Sequence, residues 1–259
     1  MDTQQISGVI LTHNNKRTIE KAVQSIAHLV SELVIVDDFS TDDTLDIVRR
    51  VYPKVKIVQR KLDRFDHQRN FSLQQVSHPW VLCIDSDEAL DIQAQDSIKN
   101  IMNRLDDRAY GFYRLNQSFN RFTKERLNRP ILFKRELTFQ GALHEVVAVS
   151  ITYLPGYIYH FSWKDMTEAL ADMNQYATHQ AKKWIMQERN YPALVLAGIA
   201  FLMPPYHFLK LYVGQKRFRN GFFAGFLYSA LMASEWVWVV LKYYEFRFIH
   251  HMKNPEDIK

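Results

Sequence analysis

At 259 residues, 47% hydrophobic and 24% charged, the chain carries enough apolar material for a real core, which excludes a disordered protein and suits one large domain or a domain with an appendage. The formal net charge of +5 is modest but uneven: from Tyr206 onward Lys210, Lys216, Arg217, Arg219, Lys242 and Arg247 are opposed only by Glu235 and Glu245 before the tail, a bias that suits an anionic surface. A single cysteine, Cys83, excludes an internal disulfide, and the opening MDTQQISGVIL has no basic-then-apolar secretory pattern, so a cytoplasmic protein is expected.

The first hundred residues alternate between strand and helix signals. ISGVILT (6–12) is a short β-branched strand, and KRTIEKAVQSIAHL (16–29) follows with Ile19, Val23, Ile26 and Ala27 at helical spacing. ELVIVDD (32–38) is a second strand, and STDDTLDIVRRVY (40–52) opens with capping residues before Leu45 and Val48. KVKIVQR (54–60) is a third strand, HQRNFSLQQVS (67–77) a helix and WVLCID (80–85) a fourth strand. Nearly continuous apolar strands in β-α-β order predict a mostly parallel sheet with helices on both faces, a Rossmann-like α/β fold. In such sheets ligands sit beyond the strand C-termini. The clusters THNN (12–15), DDFSTDD (37–43) and DSDE (85–88) all follow strands, so all are expected on one edge.

After residue 108 the pattern becomes irregular, with strand-like YGFYRLNQSF (110–119) and RPILFKREL (129–137), then GALHEVV (141–147) and GYIYHFSW (156–163). A long helix is predicted over 165–187. Beyond it, 193–213 and 221–241 are apolar and aromatic on nearly every face. The first of these ends its apolar run at Pro204 and Pro205, which makes it short for a membrane span, and the second contains Glu235. Trp236, Trp238, Tyr243 and Tyr244 beside Lys242 and Arg247 read as an interfacial belt. Helices lying in the cytoplasmic leaflet or dipping into it are the expectation; a helical appendage packed on the first domain or forming a dimer, and a true transmembrane anchor, are the alternatives. The division is therefore set at 1–190 for the main domain and 191–259 for a C-terminal membrane-associated helical segment.

Asp85, Asp87 and Glu88 crowd the tip of the fourth strand, where like charges repel unless solvent or a bound cation compensates them. No G-x-x-x-x-G-K-[ST] loop, G-x-G-x-x-G turn, G-x-S-x-G elbow or clustered Cys/His site competes with this acidic edge.

Taken together, VILTHNN (9–15), LVIVDDFSTDDT (33–44), QRNFSL (68–73) and WVLCIDSDEAL (80–90) resemble an inverting family 2 glycosyltransferase of the GT-A fold, over roughly the first 165 residues. RNFSL, DSDE, LHE and YHFSWKD, with the aromatic C-terminus, are similar more narrowly to the bacterial subgroup that glucosylates lipopolysaccharide inner core. The resemblance implies that DSD binds Mg²⁺ or Mn²⁺ bridging the diphosphate of a UDP-sugar. Asp87 is then the better direct ligand, Asp85 contacts ribose or a metal-bound water, and His160 completes the metal shell or touches the diphosphate. It also implies that Asp38 accepts from the uracil N3–H, that Thr12 and His13 line the base pocket, and that Arg69 and Asn70 lie near the nucleotide. Inversion needs one carboxylate to deprotonate the acceptor hydroxyl. Glu145 is the expected base, with His144 orienting it or the acceptor, and Asp165 is the alternative. Ser40, Asp42 and Asp43 are read as helix-capping groups, Cys83 as packing, and Glu88 is left unassigned.

The resulting expectation is a metal-dependent hexosyltransferase at the inner face of the cytoplasmic membrane. Its donor is a UDP-sugar, its acceptor a lipid-linked glycan, and nucleic acid is not a partner; a homo-oligomer is left open. The rival readings are another acceptor (polyprenyl phosphate, a capsule or exopolysaccharide precursor, a peptide) and a catalytically inactive GT-A interaction module.

Overall fold

The computed structural model describes residues 4–106, 109–118, 121–127, 129–140, 149–187 and 189–249. The chain divides into two compact units, Met1–Asn116 with Lys124–Phe161, and Gln117–Thr123 with Ser162–Lys259.

The first unit is built on a nine-stranded sheet. Its strands are β1 (Ile6–Thr12), β2 (Glu32–Asp37), β3 (Lys56–Gln59), β4 (Trp80–Asp85), β5 (Glu88–Leu90), β6 (Ala109–Ser118), β7 (Arg121–Arg126), β8 (Leu132–Lys134) and β9 (Ile151–Phe161). Four helices accompany them: α1 (Ile19–Ile26), α2 (Thr44–Val51), α3 (Phe65–Leu73) and α4 (Ile92–Ile101). The order is β3-β2-β1-β4-β8-β6-β9-β5, with β7 paired to β6. Pairing is parallel from β3 through β4, then antiparallel where β8 joins β4, β6 joins β8 and β5 joins β9.

Why the central strands read as continuous apolar runs is visible in their packing. Ile6 and Ile10 of β1, Leu33 and Ile35 of β2, and Leu82 and Ile84 of β4 enter one core with Ile19, Val23 and Ile26 of α1. The intervening Val9, Leu11, Val34, Val36, Val81 and Cys83 enter a second core with Leu73 of α3, Phe133 and Phe139. Alternate side chains thus bury on opposite faces, each large one contributing about 1.5–3 kcal/mol. The same alternation gives Asp85 the face of Val81 and Cys83, which is the α3 face.

The parallel strands end level with one another. Thr12 pairs with Asp37 across β1 and β2, and Leu11 with Asp85 across β1 and β4. Strand order turns at β1, with β2 on one side and β4 on the other, so a topological switch point lies at these C-terminal ends.

The second unit is helical: α5 (Met166–Met186), α6 (Ala193–Leu209) and α7 (Tyr228–Tyr244). Asp165 caps α5 by accepting from the Glu168 backbone N–H at 3.0 Å. Trp184 and Tyr243 anchor its core with Ala177, Ala181, Leu196 and Val239. The prolines expected to end the first apolar segment lie inside α6, and a π-type turn over Lys210–Gly214 extends it. Adjacent prolines remove two neighbouring backbone donors, yet the α-helix continues past them to Leu209.

Candidate functional site

Three strand ends and the loops after them build the acidic edge. After β1, Asn14 takes a left-handed conformation (φ 46°) that turns its side chain back, and its Oδ1 accepts from the Thr41 N–H at 2.7 Å. After β2, the Asp37 carboxylate is fully buried and accepts from the Ser40 N–H (3.0 Å), the Ser40 hydroxyl (2.5 Å) and Gln59 Nε2 (2.9 Å). Asp37 therefore holds the turn, and Asp38 is the acid that turn presents. Asp38 Oδ1 accepts from the Leu62 N–H at 3.0 Å and lies 3.1 Å from Lys61 Nζ. His13 Nδ1 sits 2.7 Å from the Asp38 carbonyl and 3.9 Å from its Oδ2. Thr12, Asp38 and His13 are thus together, and Thr12 Oγ1 is buried with no hydrogen-bond partner.

The structure supplies two guanidiniums for the crowded carboxylates after β4. Arg69 of α3, 4% exposed, donates to Asp85 Oδ1 at 2.8 Å and to Cys83 Sγ at 3.3 Å. Arg129, also buried, donates to Asp85 Oδ2 at 2.9 Å and to Glu88 Oε2. Burial opposes ionisation of Asp85, but the charges of Arg129 and Arg69 outweigh it and hold its carboxyl well below the usual carboxylate range. Glu88, unassigned from sequence, is 1% exposed, accepts from the Asp85 backbone N–H at 3.0 Å and lies 4.0 Å from Arg114. Its role is to close this network from below. Arg129 and Arg114 were not singled out in sequence; the signal for them was the unbalanced acid count at the strand tip, which three carboxylates alone could not sustain.

Asp87 points elsewhere. It is 3.3 Å from Nε2 of His160, and its carbonyl accepts from the Phe161 N–H at 2.8 Å. The β5–β9 register brings His160 there by setting it opposite Glu88. Burial disfavours a charged ring, yet the hydrogen bond and charge of Asp87, with Glu88 behind it, outweigh that and raise the His160 pKa. Among the described residues no group of three or more His, Cys, Asp or Glu converges as a metal shell. One carboxylate and one imidazole fit a hard divalent cation when phosphate oxygens and waters complete the coordination, which Mg²⁺ and Mn²⁺ readily accept. Asp85, engaged by two arginines, would have to give up a partner to serve as a direct ligand.

Asn70 bonds both ways to the Phe139 backbone at 2.9 Å, fastening α3 to the second core. Asp42 accepts from the Thr44 N–H at 3.0 Å at the start of α2, while Ser40 bridges Asn14 and Asp37. Glu145 and His144 lie outside the described residues.

A family profile described as Glycosyl transferase family 2 matches residues 7–154, more than half of the chain and all three strand ends. The chain belongs to this family. As a family 2 glycosyltransferase it is similar to an uncharacterized glycosyltransferase of Rickettsia typhi, 27% identical over 89% of this chain and 83% of that protein. It is also similar to the lipopolysaccharide core biosynthesis glycosyltransferase LpsC of Rhizobium meliloti, 25% identical over 83% of this chain and 82% of that one. Among solved structures, S. aureus TarS residues 1–349 in complex with UDP-GlcNAc shares the fold, with a TM-score of 0.51 and 15% identity over 94% of this chain and 92% of that one. The glycosyltransferase is accordingly a GT-A protein, its first unit carrying the acidic edge and its second an apolar helix.

Proposed function

We propose that this glycosyltransferase transfers a hexose from a UDP-sugar, glucose first among the candidates, onto a lipid-linked glycan, with lipopolysaccharide inner core the leading acceptor and a β-linkage the product. The observation that carries the reading is the Asp87–His160 pair, 3.3 Å apart on the edge where β1, β2 and β4 end. The UDP-GlcNAc bound by TarS supports the donor class, and the naming of LpsC supports the acceptor.

Each residue has a task under this reading. Asp38 Oδ2 accepts from the uracil N3–H, with His13 beside it and the unpartnered Thr12 hydroxyl available to the same ligand. Asp87 and His160 would hold Mg²⁺ or Mn²⁺, and the chemistry such a cation would supply is neutralisation of charge on the leaving diphosphate. Asp85 stays ionised between Arg69 and Arg129 and receives a ribose hydroxyl or a metal-bound water. Glu145 takes the proton from the acceptor hydroxyl, with His144 orienting it. Asp165, committed as the α5 cap, is the weaker base.

The membrane part of the proposal draws on the second unit. Ala193–Gly214 is long and apolar enough to cross a membrane, and little of its apolar stretch is buried. Leu194, Phe201, Leu202, Tyr206 and Leu209 are exposed along it. Lys210 lies near its end and Lys216, Arg217 and Arg219 follow, as an element lying on an anionic leaflet requires. These features support a location at the inner face of the cytoplasmic membrane.

A screen of UDP-sugars with Mn²⁺ or Mg²⁺, reading UDP release, tests the donor. Selective release from UDP-glucose is expected, and release only from another nucleotide sugar contradicts it.

A further inference from the structure

We infer that Asn116 and Glu125 are positioning residues that set the tautomer of His160 and aim its Nε2 at Asp87, an assignment that rests on the metal reading above. The hydrogen bonds run in one direction. The Glu125 carboxylate is acceptor-only, and its Oε2 takes Asn116 Nδ2 at 2.5 Å and Arg114 Nη2 at 3.1 Å. An amide turned this way offers its Oδ1 to His160 Nδ1, 3.0 Å away. The opposite amide orientation would bring Asn116 Oδ1 against the carboxylate, two acceptors at bonding distance with no hydrogen between them. Nδ1 therefore carries a hydrogen, and once the ring gives up the Nε2 proton it donates to Asp87, the lone pair is on Nε2. That lone pair faces Asp87 Oδ2 at 3.3 Å. Two electron-rich atoms so arranged repel each other and together suit one cation, and an outer shell that fixes ring orientation is how proteins hold such a ligand.

The alignment is built into the sheet. Glu125 lies on β7, Asn116 on β6 and His160 on β9, and β6 neighbours both other strands. Arg114, two residues before Asn116 and so on the same strand face, fastens Glu125 from the other side and reaches to 4.0 Å from Glu88. The outer shell of the Asp87–His160 pair is thereby tied to the buried arginine–carboxylate network.

Two readouts test this: the ring ¹⁵N shifts of His160 in metal-free protein at alkaline pH, and Mn²⁺ affinity in the presence of UDP by electron paramagnetic resonance. The wild type is expected to show the Nδ1–H tautomer. In Glu125→Gln, Arg114 keeps the amide oxygen, the new NH₂ faces Asn116, and Asn116 turns over. The ring then shifts toward Nε2–H, and the Mn²⁺ dissociation constant rises about 10-fold or more. In the double variant Asn116→Asp with Glu125→Gln, the carboxylate at 116 accepts from both neighbours, so the Nδ1–H tautomer and Mn²⁺ affinity return. A purely structural role gives no such reciprocal rescue. An Nε2–H tautomer in the wild type, an unchanged tautomer and affinity in Glu125→Gln, or no recovery in the folded double variant would each overturn the inference. Wild-type protein that takes up no Mn²⁺ with UDP overturns instead the metal reading beneath it, while the ¹⁵N shifts still decide the positioning role.

Discussion

Asp85 lies between Arg69 and Arg129, and removing one partner exposes how the strand tip is held together. Arg129→Met leaves Asp85 with one guanidinium and Glu88 without its closest cation, in a site that water does not reach easily. The expected loss is about 3–5 kcal/mol, read as a lowered denaturant midpoint. The pH dependence has a definite sign. The folded-state pKa of Asp85 is depressed, so its stabilisation is present in full above about pH 4, the unfolded value, and is lost as the pH falls through the folded value. Asp85→Asn is therefore expected to flatten the acid limb of the stability profile; an acid limb as steep as in wild type would show that this carboxylate does not contribute to it. At this scale the sequence was legible for the acids and not for their partners. DSDE announces itself through local repulsion, whereas Arg129 lies 44 residues from Asp85 and joins it only because β8 pairs with β4.

Elements with a dense apolar face were readable, and those with a thin one were not. The helix expected over 165–187 runs from Met166 to Met186, with Asp165 and Gln187 as its caps. By contrast α4 buries only Ala94 and Ile98 fully, and β7, RFTKER, has Phe122 as its one apolar residue, so neither carries a periodic signal. One close approach between elements depends on a glycine: Gly156 in β9 has φ +108°, and a Cβ there would lie 2.3 Å from the Ala94 backbone nitrogen of α4. Gly156→Ala is expected to cost on the order of 1–3 kcal/mol, measured as a lower Tm. On α6 the exposed face makes the opposite kind of prediction. Phe201→Asp with Leu202→Asp should leave Tm unchanged and sharply reduce co-sedimentation with anionic vesicles. Retained vesicle binding would remove α6 as the docking element.

For the whole molecule, the β-α-β order of the first hundred residues made the parallel half of the sheet legible, together with the single edge on which the acidic loops gather. The antiparallel half was less so, because hairpin partners such as β8 and β6 carry no alternation strong enough to reveal order or register. A further whole-molecule signature lies in the helical unit. Burial raises the Glu235 pKa to about 7. Its ionised form therefore opposes folding, and this penalty grows as the pH rises from about 4 to about 7. Glu235→Gln should raise Tm near pH 8 and leave it unchanged near pH 4; an equal rise at both values would point to packing instead.

The central claim, that Asp87 and His160 hold a divalent cation on which sugar transfer from a UDP-sugar depends, is tested most directly by UDP release from UDP-glucose in the presence and absence of Mn²⁺. Wild-type release is expected to be saturable, to stop on chelation, and to be lost in Asp87→Ala while that variant melts as the wild type does. Release that continues without metal and is undiminished in Asp87→Ala would contradict the account.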